Sequence, residues 1–129
     1  MAITPHDEVY YQDRGYLVVP NVLTQSELDE VRAELAELID KSSGVTENDV
    51  VYDLEDNHTQ AAPRVRRIKE PHTVMPSVAA LVRHPEMVEI LSRLIGRGVR
   101  FQSSKLNMKS AGDGSAVEWH QDWAFYPHT

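Results

Sequence analysis

Cysteine is missing from all 129 residues, so the chain has no disulfide framework, no thiolate metal site and no cysteine nucleophile. Any metal has to be held by His, Asp or Glu. Long apolar runs are missing as well: Val78-Ala79-Ala80-Leu81-Val82 is far short of the roughly 20 residues that cross a bilayer. The start, Met1-Ala2-Ile3-Thr4-Pro5-His6-Asp7-Glu8, lacks the basic region followed by an apolar stretch that marks an export signal. Both absences predict a soluble cytoplasmic protein. Positive charge is scarce, with thirteen Lys and Arg against twenty Asp and Glu and a net charge of −7. The average field repels a phosphate backbone or an anionic membrane, so neither nucleic acid nor a lipid surface is an expected partner. No repeat or low-complexity tract is present, and the length suits one domain over residues 1–129.

Local patterns predict helices first and strands last. Thr4-Pro5-His6-Asp7 combines a capping hydroxyl, a Pro preset for the first helical position and early acids, and Gly15 provides a stop. The β-branched run Tyr16-Leu17-Val18-Val19-Pro20 predicts a short strand. Thr24 and Glu27 form a capping box, and Leu28, Val31, Leu35, Leu38 and Ile39 follow at the spacing of one helical face, which predicts a helix over about 25–40. Its opposite face, with Asp29, Glu30, Arg32, Glu34, Glu37 and Asp40, reads as solvated surface. Residues 42–63 read as loop around one β-like run, Asp49-Val50-Val51-Tyr52-Asp53-Leu54. Pro85 opens a helix with an apolar stripe of Met87, Val88, Ile90, Leu91, Leu94 and Ile95, ended by Gly96 and Gly98. Residues 99–109 predict a strand, Ala111-Gly112-Asp113-Gly114-Ser115 a turn, and residues 116–122 a further strand. The expected class is α+β, with a sheet only begun.

The chemistry gathers at the end. A mononuclear iron site with two His and one carboxylate needs two ligands close together and a third from elsewhere. His120 and Asp122 meet the first need, since side chains two apart on a strand share a face while Trp119, Gln121 and Trp123 point away. Composition alone produces about 0.4 His-x-Asp matches in such a chain, so context has to discriminate. His6-x-Glu8 and His84-x-Glu86 fall at helix starts, where a separation of two swings side chains about 200° apart. His120 and Asp122 instead follow a glycine turn, among Trp119, Trp123, Phe125 and Tyr126.

The string Trp119-His120-Gln121-Asp122-Trp123-Ala124-Phe125-Tyr126-Pro127-His128-Thr129, with Ser104-Lys105-Leu106-Asn107-Met108-Lys109 and Tyr11-Gln12-Asp13-Arg14-Gly15-Tyr16 upstream, resembles the phytanoyl-CoA dioxygenase family of iron(II)/2-oxoglutarate oxygenases. The resemblance implies N-terminal helices packed on the first strands of a double-stranded β-helix, a jelly-roll or cupin-like barrel. It implies His120 and Asp122 as iron(II) ligands and Lys105, Asn107 and Lys109, on one face of a strand, as contacts for 2-oxoglutarate. It adds Arg67, picked from the cluster Arg64-x-Arg66-Arg67-x-Lys69, as a further cosubstrate-binding cation. The implied reaction hydroxylates a small organic substrate with O2, releasing succinate and CO2. Trp123, Phe125 and Tyr126 are candidates for pocket lining or wall packing.

The family's third iron ligand, a second His, and the Arg that pairs with the far carboxylate of 2-oxoglutarate belong to later strands. After Asp122 the chain offers only His128, six residues on and behind a Pro. His6, His58, His72 and His84 read as surface or loop residues. The expectation is therefore an incomplete, amino-terminal part of such an oxygenase, inactive or nearly so, with unpaired sheet edges that favour aggregation. Two other classes stand beside it: a non-catalytic binding or oligomerisation module derived from the same fold, and a metal-dependent hydrolase or isomerase on a cupin-like barrel. Substrate identity and oligomeric state are not legible.

Overall fold

A computed structural model describes residues 3–109 and 116–125. The first helix, α1 (Pro5–Arg14), starts where expected: Thr4 Oγ1 accepts from the Asp7 amide, and the Asp7 carboxylate accepts from the Thr4 amide at 2.8 Å. Gly15, at φ 79°, ends it in the left-handed conformation that glycine adopts without strain. The next helix, α2 (Gln25–Lys41), carries the same reciprocal cap between Thr24 and Glu27. Between them, residues 16–20 form no strand, contrary to expectation. Burial alternates there, with Leu17 and Val19 turned inward, but no neighbouring strand offers a ladder and extended backbone alone is not a sheet.

Three short strands follow: β1 (Tyr52–Leu54), β2 (Val65–Lys69) and β3 (Lys105–Asn107). They form one antiparallel sheet in the order β1-β2-β3. The central strand was not anticipated, because its buried positions, Val65 and Ile68, are three apart and fit no simple alternation. The register shifts between Asp53 and Leu54, leaving Arg66 as the extra residue of a β-bulge; Val65 and Ile68 thereby reach the same face. Of residues 99–109 only Lys105–Asn107 is strand, and residues 116–122 are not strand at all. The predicted turn at 111–115 lies outside the described residues. The architecture is α+β with a small antiparallel sheet, and no closed barrel forms among the described residues.

The core lies between one sheet face and α2. Tyr52, Leu54, Val65 and Ile68 pack with Leu35 and Leu38 of α2 and with Leu106 and Met108. The Tyr52 hydroxyl donates to the Leu38 carbonyl at 2.9 Å, tying β1 to the end of α2, and burial pushes its pKa up, keeping it protonated as a donor. Two further helices complete the layer, α3 (Pro76–Leu81), unforeseen, and α4 (Pro85–Ile95). Glu34 is not idle surface: its carboxylate accepts from the Ser77 amide and, at 2.6 Å, from the Ser77 hydroxyl, capping α3 from across the layer. Arg93 of α4 pairs with Glu8 at 2.6 Å and with the Ile3 carbonyl, docking α1 on α4.

Two consequences are measurable. Ile68 is fully buried, so Ile68→Ala is expected to lower unfolding stability by roughly 2–5 kcal/mol in urea titration. The Thr24 amide and hydroxyl hold the Glu27 carboxyl below its usual pKa, as the Thr4 amide and hydroxyl do for Asp7. Carboxyls depressed by folding stabilise the native state above the ordinary carboxylate range, and that contribution is lost as pH falls through the depressed values. Helical circular dichroism should therefore decline on acidification below about pH 4, and less so in Thr4→Ala/Thr24→Ala; identical acid profiles for the two proteins would count against the caps.

Candidate active site

With Tyr52, Leu54, Ile68 and Leu106 committed to the core, the other face of the sheet receives Asp53, Arg67, Lys69, Lys105 and Asn107. Register aligns three of these in a row, Asp53 opposite Arg67 and Arg67 opposite Asn107. Arg67 Nε donates to Asn107 Oδ1 at 3.1 Å, and Asp53 pairs with Lys69 at 3.0 Å and with Arg67 at 3.5 Å. A cleft of about 630 Å³ opens beside this row, lined by Arg67, Lys105, Asn107, Val117, His120, Asp122 and Phe125.

His120 and Asp122 face each other in that cleft, with Nε2 3.2 Å from Oδ1. Gln121 between them is extended, at φ −106° and ψ 129°, so alternation along the backbone brings both side chains to one side although no described strand pairs with residues 116–121. A 3-10 turn, Asp122–Ala124, follows, closed by bonds from the Ala124 amide to the Gln121 carbonyl and from the Phe125 amide to the Asp122 carbonyl. His120 Nδ1 lies 2.7 Å from the Glu118 carbonyl oxygen. A carbonyl and a carboxylate both only accept, so each ring nitrogen faces an acceptor, and a cation taken by Nε2 would leave the Nδ1 proton for the Glu118 carbonyl. Phe125 stands edge-on to the imidazole with ring centroids 5.4 Å apart.

These two donors fit a divalent cation. Nitrogen and carboxylate oxygen suit iron(II), and a gap of 3.2 Å is near the roughly 3.0 Å that separates two donors bound at a right angle with bonds of ~2.1 Å. Among the described residues no group of three potential metal ligands is assembled. His128 and Tyr126, as well as the Trp123 side chain, lie outside the description.

Of the predicted cosubstrate residues, Arg67, Lys105 and Asn107 line the same cleft as His120 and Asp122. Lys109 lines an adjoining recess of about 190 Å³, together with Arg66, Arg67 and Asn107. In that recess Arg66 Nε is buried without a hydrogen-bond partner among the described residues. Sequence reading gave no role to Asp53, Glu118 and Val117, and within the basic cluster it chose Arg67 over Arg66. Asp53 had one legible signal, an outward position between two apolar residues of a β-like run, but its partner strand was not recognised. Three other histidines hold the scaffold together. His58 accepts from the Arg64 amide at 2.9 Å and reaches the Val45 carbonyl, His72 meets Ser104 Oγ at 2.7 Å, and His84 caps α4 while its Nε2 faces Glu27 at 3.2 Å. His84 thus turns to Glu27 of another helix, and Glu8 to Arg93, in keeping with helical His-x-Glu pairs that share no ion.

The model of a protein family described as phytanoyl-CoA dioxygenase matches residues 11–129. The chain is 31% identical, over 92% of its length, to a protein of Stutzerimonas stutzeri named "Probable alpha-ketoglutarate-dependent hypophosphite dioxygenase". It is 31% identical over 94% of its length to L-proline trans-4-hydroxylase of Streptomyces griseoviridis, and 28% identical over 84% to an ectoine dioxygenase of Nocardia farcinica. It spans 41%, 41% and 35% of these proteins' own lengths. No solved structure matches.

The tautomer assigned to His120 is testable. With Zn(II) bound at the pair, long-range 1H–15N spectra should show Nδ1 as the protonated nitrogen, whereas a dominant Nε2–H pattern would remove the Glu118 carbonyl from the account.

Proposed function

The chain belongs to the phytanoyl-CoA dioxygenase family, and from that premise we propose that it carries the metal- and cosubstrate-binding part of an iron(II)/2-oxoglutarate-dependent dioxygenase acting on a small organic substrate. The supporting observation is the cleft in which His120 and Asp122 stand 3.2 Å apart beside Arg67 and Lys105. His120 Nε2 and Asp122 Oδ1 would hold the iron, with the third ligand coming from outside the described residues. Bound there, iron(II) would use O2 and 2-oxoglutarate to hydroxylate a C–H bond, with succinate and CO2 as coproducts.

The chain's own residues bind and orient. Arg67 and Lys105 offer cations to the cosubstrate carboxylates, and Asn107, whose amide oxygen is taken by Arg67, offers its NH2 group. Lys109 reaches the same region from the adjoining recess. Val117 and Phe125, themselves exposed, add apolar wall to the cleft beside the metal pair. The Glu118 carbonyl keeps His120 in the ligating tautomer. A cleft whose described lining carries Arg67, Lys105, Asn107, His120 and Asp122 suits a small polar substrate. The finer architecture is the start of a jelly-roll barrel in one domain over residues 1–129, in a cytoplasmic protein, and by itself the chain is inactive or nearly so. No described helix is long and apolar enough to cross a membrane.

Mn(II), read by water-proton relaxation, reports the metal pair directly. His120→Ala and Asp122→Ala are each expected to weaken its binding by about tenfold or more. Unchanged affinity in both variants would overturn the reading, and 2-oxoglutarate-dependent succinate release by the 129-residue chain would overturn its inactivity.

A further inference from the structure

We propose that Asp53 is a positioning residue for the cosubstrate site, fixing the Arg67 guanidinium toward the cleft; this rests on the cosubstrate reading above. Asp53 lies on β1, one strand removed from the nearest cleft-lining residue, and takes no part in the cleft wall. Its side chain is only 15% exposed, whereas a carboxylate without a task on an edge strand would turn to water. Instead it reaches across the ladder to two cations of β2, Lys69 Nζ through Oδ1 at 3.0 Å and Arg67 Nη1 through Oδ2 at 3.5 Å.

The two cations differ in what they face. Lys69 does not line the cleft and Arg67 does. Arg67 is gripped from both neighbouring strands, by Asp53 through Nη1 and by Asn107 through Nε at 3.1 Å. Two contacts on different nitrogens of one planar group fix its plane as well as its position, and neither uses Nη2. The β-bulge at Asp53/Leu54 sets this row, since it brings Val65 back to the core while Arg67 stays opposite Asp53. An arginine already held in one rotamer gives up less freedom when it takes a carboxylate, so Asp53 improves affinity without touching the ligand. A residue that acts by positioning is separable from one that supplies charge alone.

The experiment uses Asp53→Asn, the charge-matched Asp53→Asn/Lys69→Met, and Asp53→Glu. Each is titrated calorimetrically with 2-oxoglutarate in the presence of Mn(II), and thermal unfolding shows that each is folded. Asp53→Asn and the double variant are expected to bind about tenfold more weakly than wild type, and Asp53→Glu within about threefold of it. Exchange of the Arg67 Nε–Hε proton, followed by NMR without ligand, should accelerate in Asp53→Asn. Wild-type affinity in the double variant would make Asp53 a counter-charge only and overturn the proposal. Unchanged Nε–Hε exchange would overturn it whatever the calorimetry gives. Absence of 2-oxoglutarate uptake by the wild-type chain would instead fail the cosubstrate reading, and this inference would fall with it.

Discussion

The arrangement depends on placing a cationic strand in the middle of a sheet. Strand β2 carries Arg66, Arg67 and Lys69 yet pairs on both sides, with Val65 and Ile68 in the core. Like charges crowded on one strand repel, and a central strand cannot turn its whole length to water. The bulge resolves the geometry by letting two apolar residues three apart reach one face. Asp53 resolves the electrostatics by meeting Arg67 and Lys69 with one carboxylate. The result is one apolar face that holds α2 and one polar face on which a site can be built.

Polar side chains elsewhere are committed to joining the layers. Glu34 caps α3, Glu27 caps its own helix and faces His84, and Arg93 docks α1 on α4. Helices as short as α3 are marginal alone, so a cap supplied by α2 helps decide whether the segment is helical. His58, His72 and His84 are similarly engaged in holding loops and helix starts. Histidine count therefore says little about metal chemistry in this chain. His120 differs because its Nδ1 is bound to a carbonyl and its Nε2 is aimed at a carboxylate across an open cleft.

What was legible in the sequence follows the range of the forces involved. The Thr4 capping hydroxyl, the Thr24–Glu27 capping box and the stop at Gly15 were readable, because each is decided within a few residues. The strand expected at residues 16–20 failed for the opposite reason: β-branched residues favour extended backbone, but the partner that makes a strand is long-range. β2 was invisible because a bulge breaks the alternation by which strands are recognised, and α3 because its cap comes from Glu34, 43 residues away. His120 and Asp122 stand together as the alternation of extended backbone suggested, though no described strand pairs with that backbone. Arg67, Lys105 and Asn107 share their cleft, while Asp53 required the register.

Charge distribution reconciles a net-acidic chain with the cosubstrate site proposed for its cleft. The formal charge of −7 is spread over the whole molecule, and at physiological salt it is screened beyond about 8 Å. Under the proposed reading a carboxylate entering the cleft meets Arg67 and Lys105 on its wall, with Arg66 and Lys109 in the adjoining recess and Asp53 already paired with Arg67. Asp122 opposes them, and under the proposed reading a bound cation would draw on its charge. Net charge and the local cations of β2 and β3 thus act over different distances, which is how a net-acidic chain can carry the cosubstrate site proposed for this cleft.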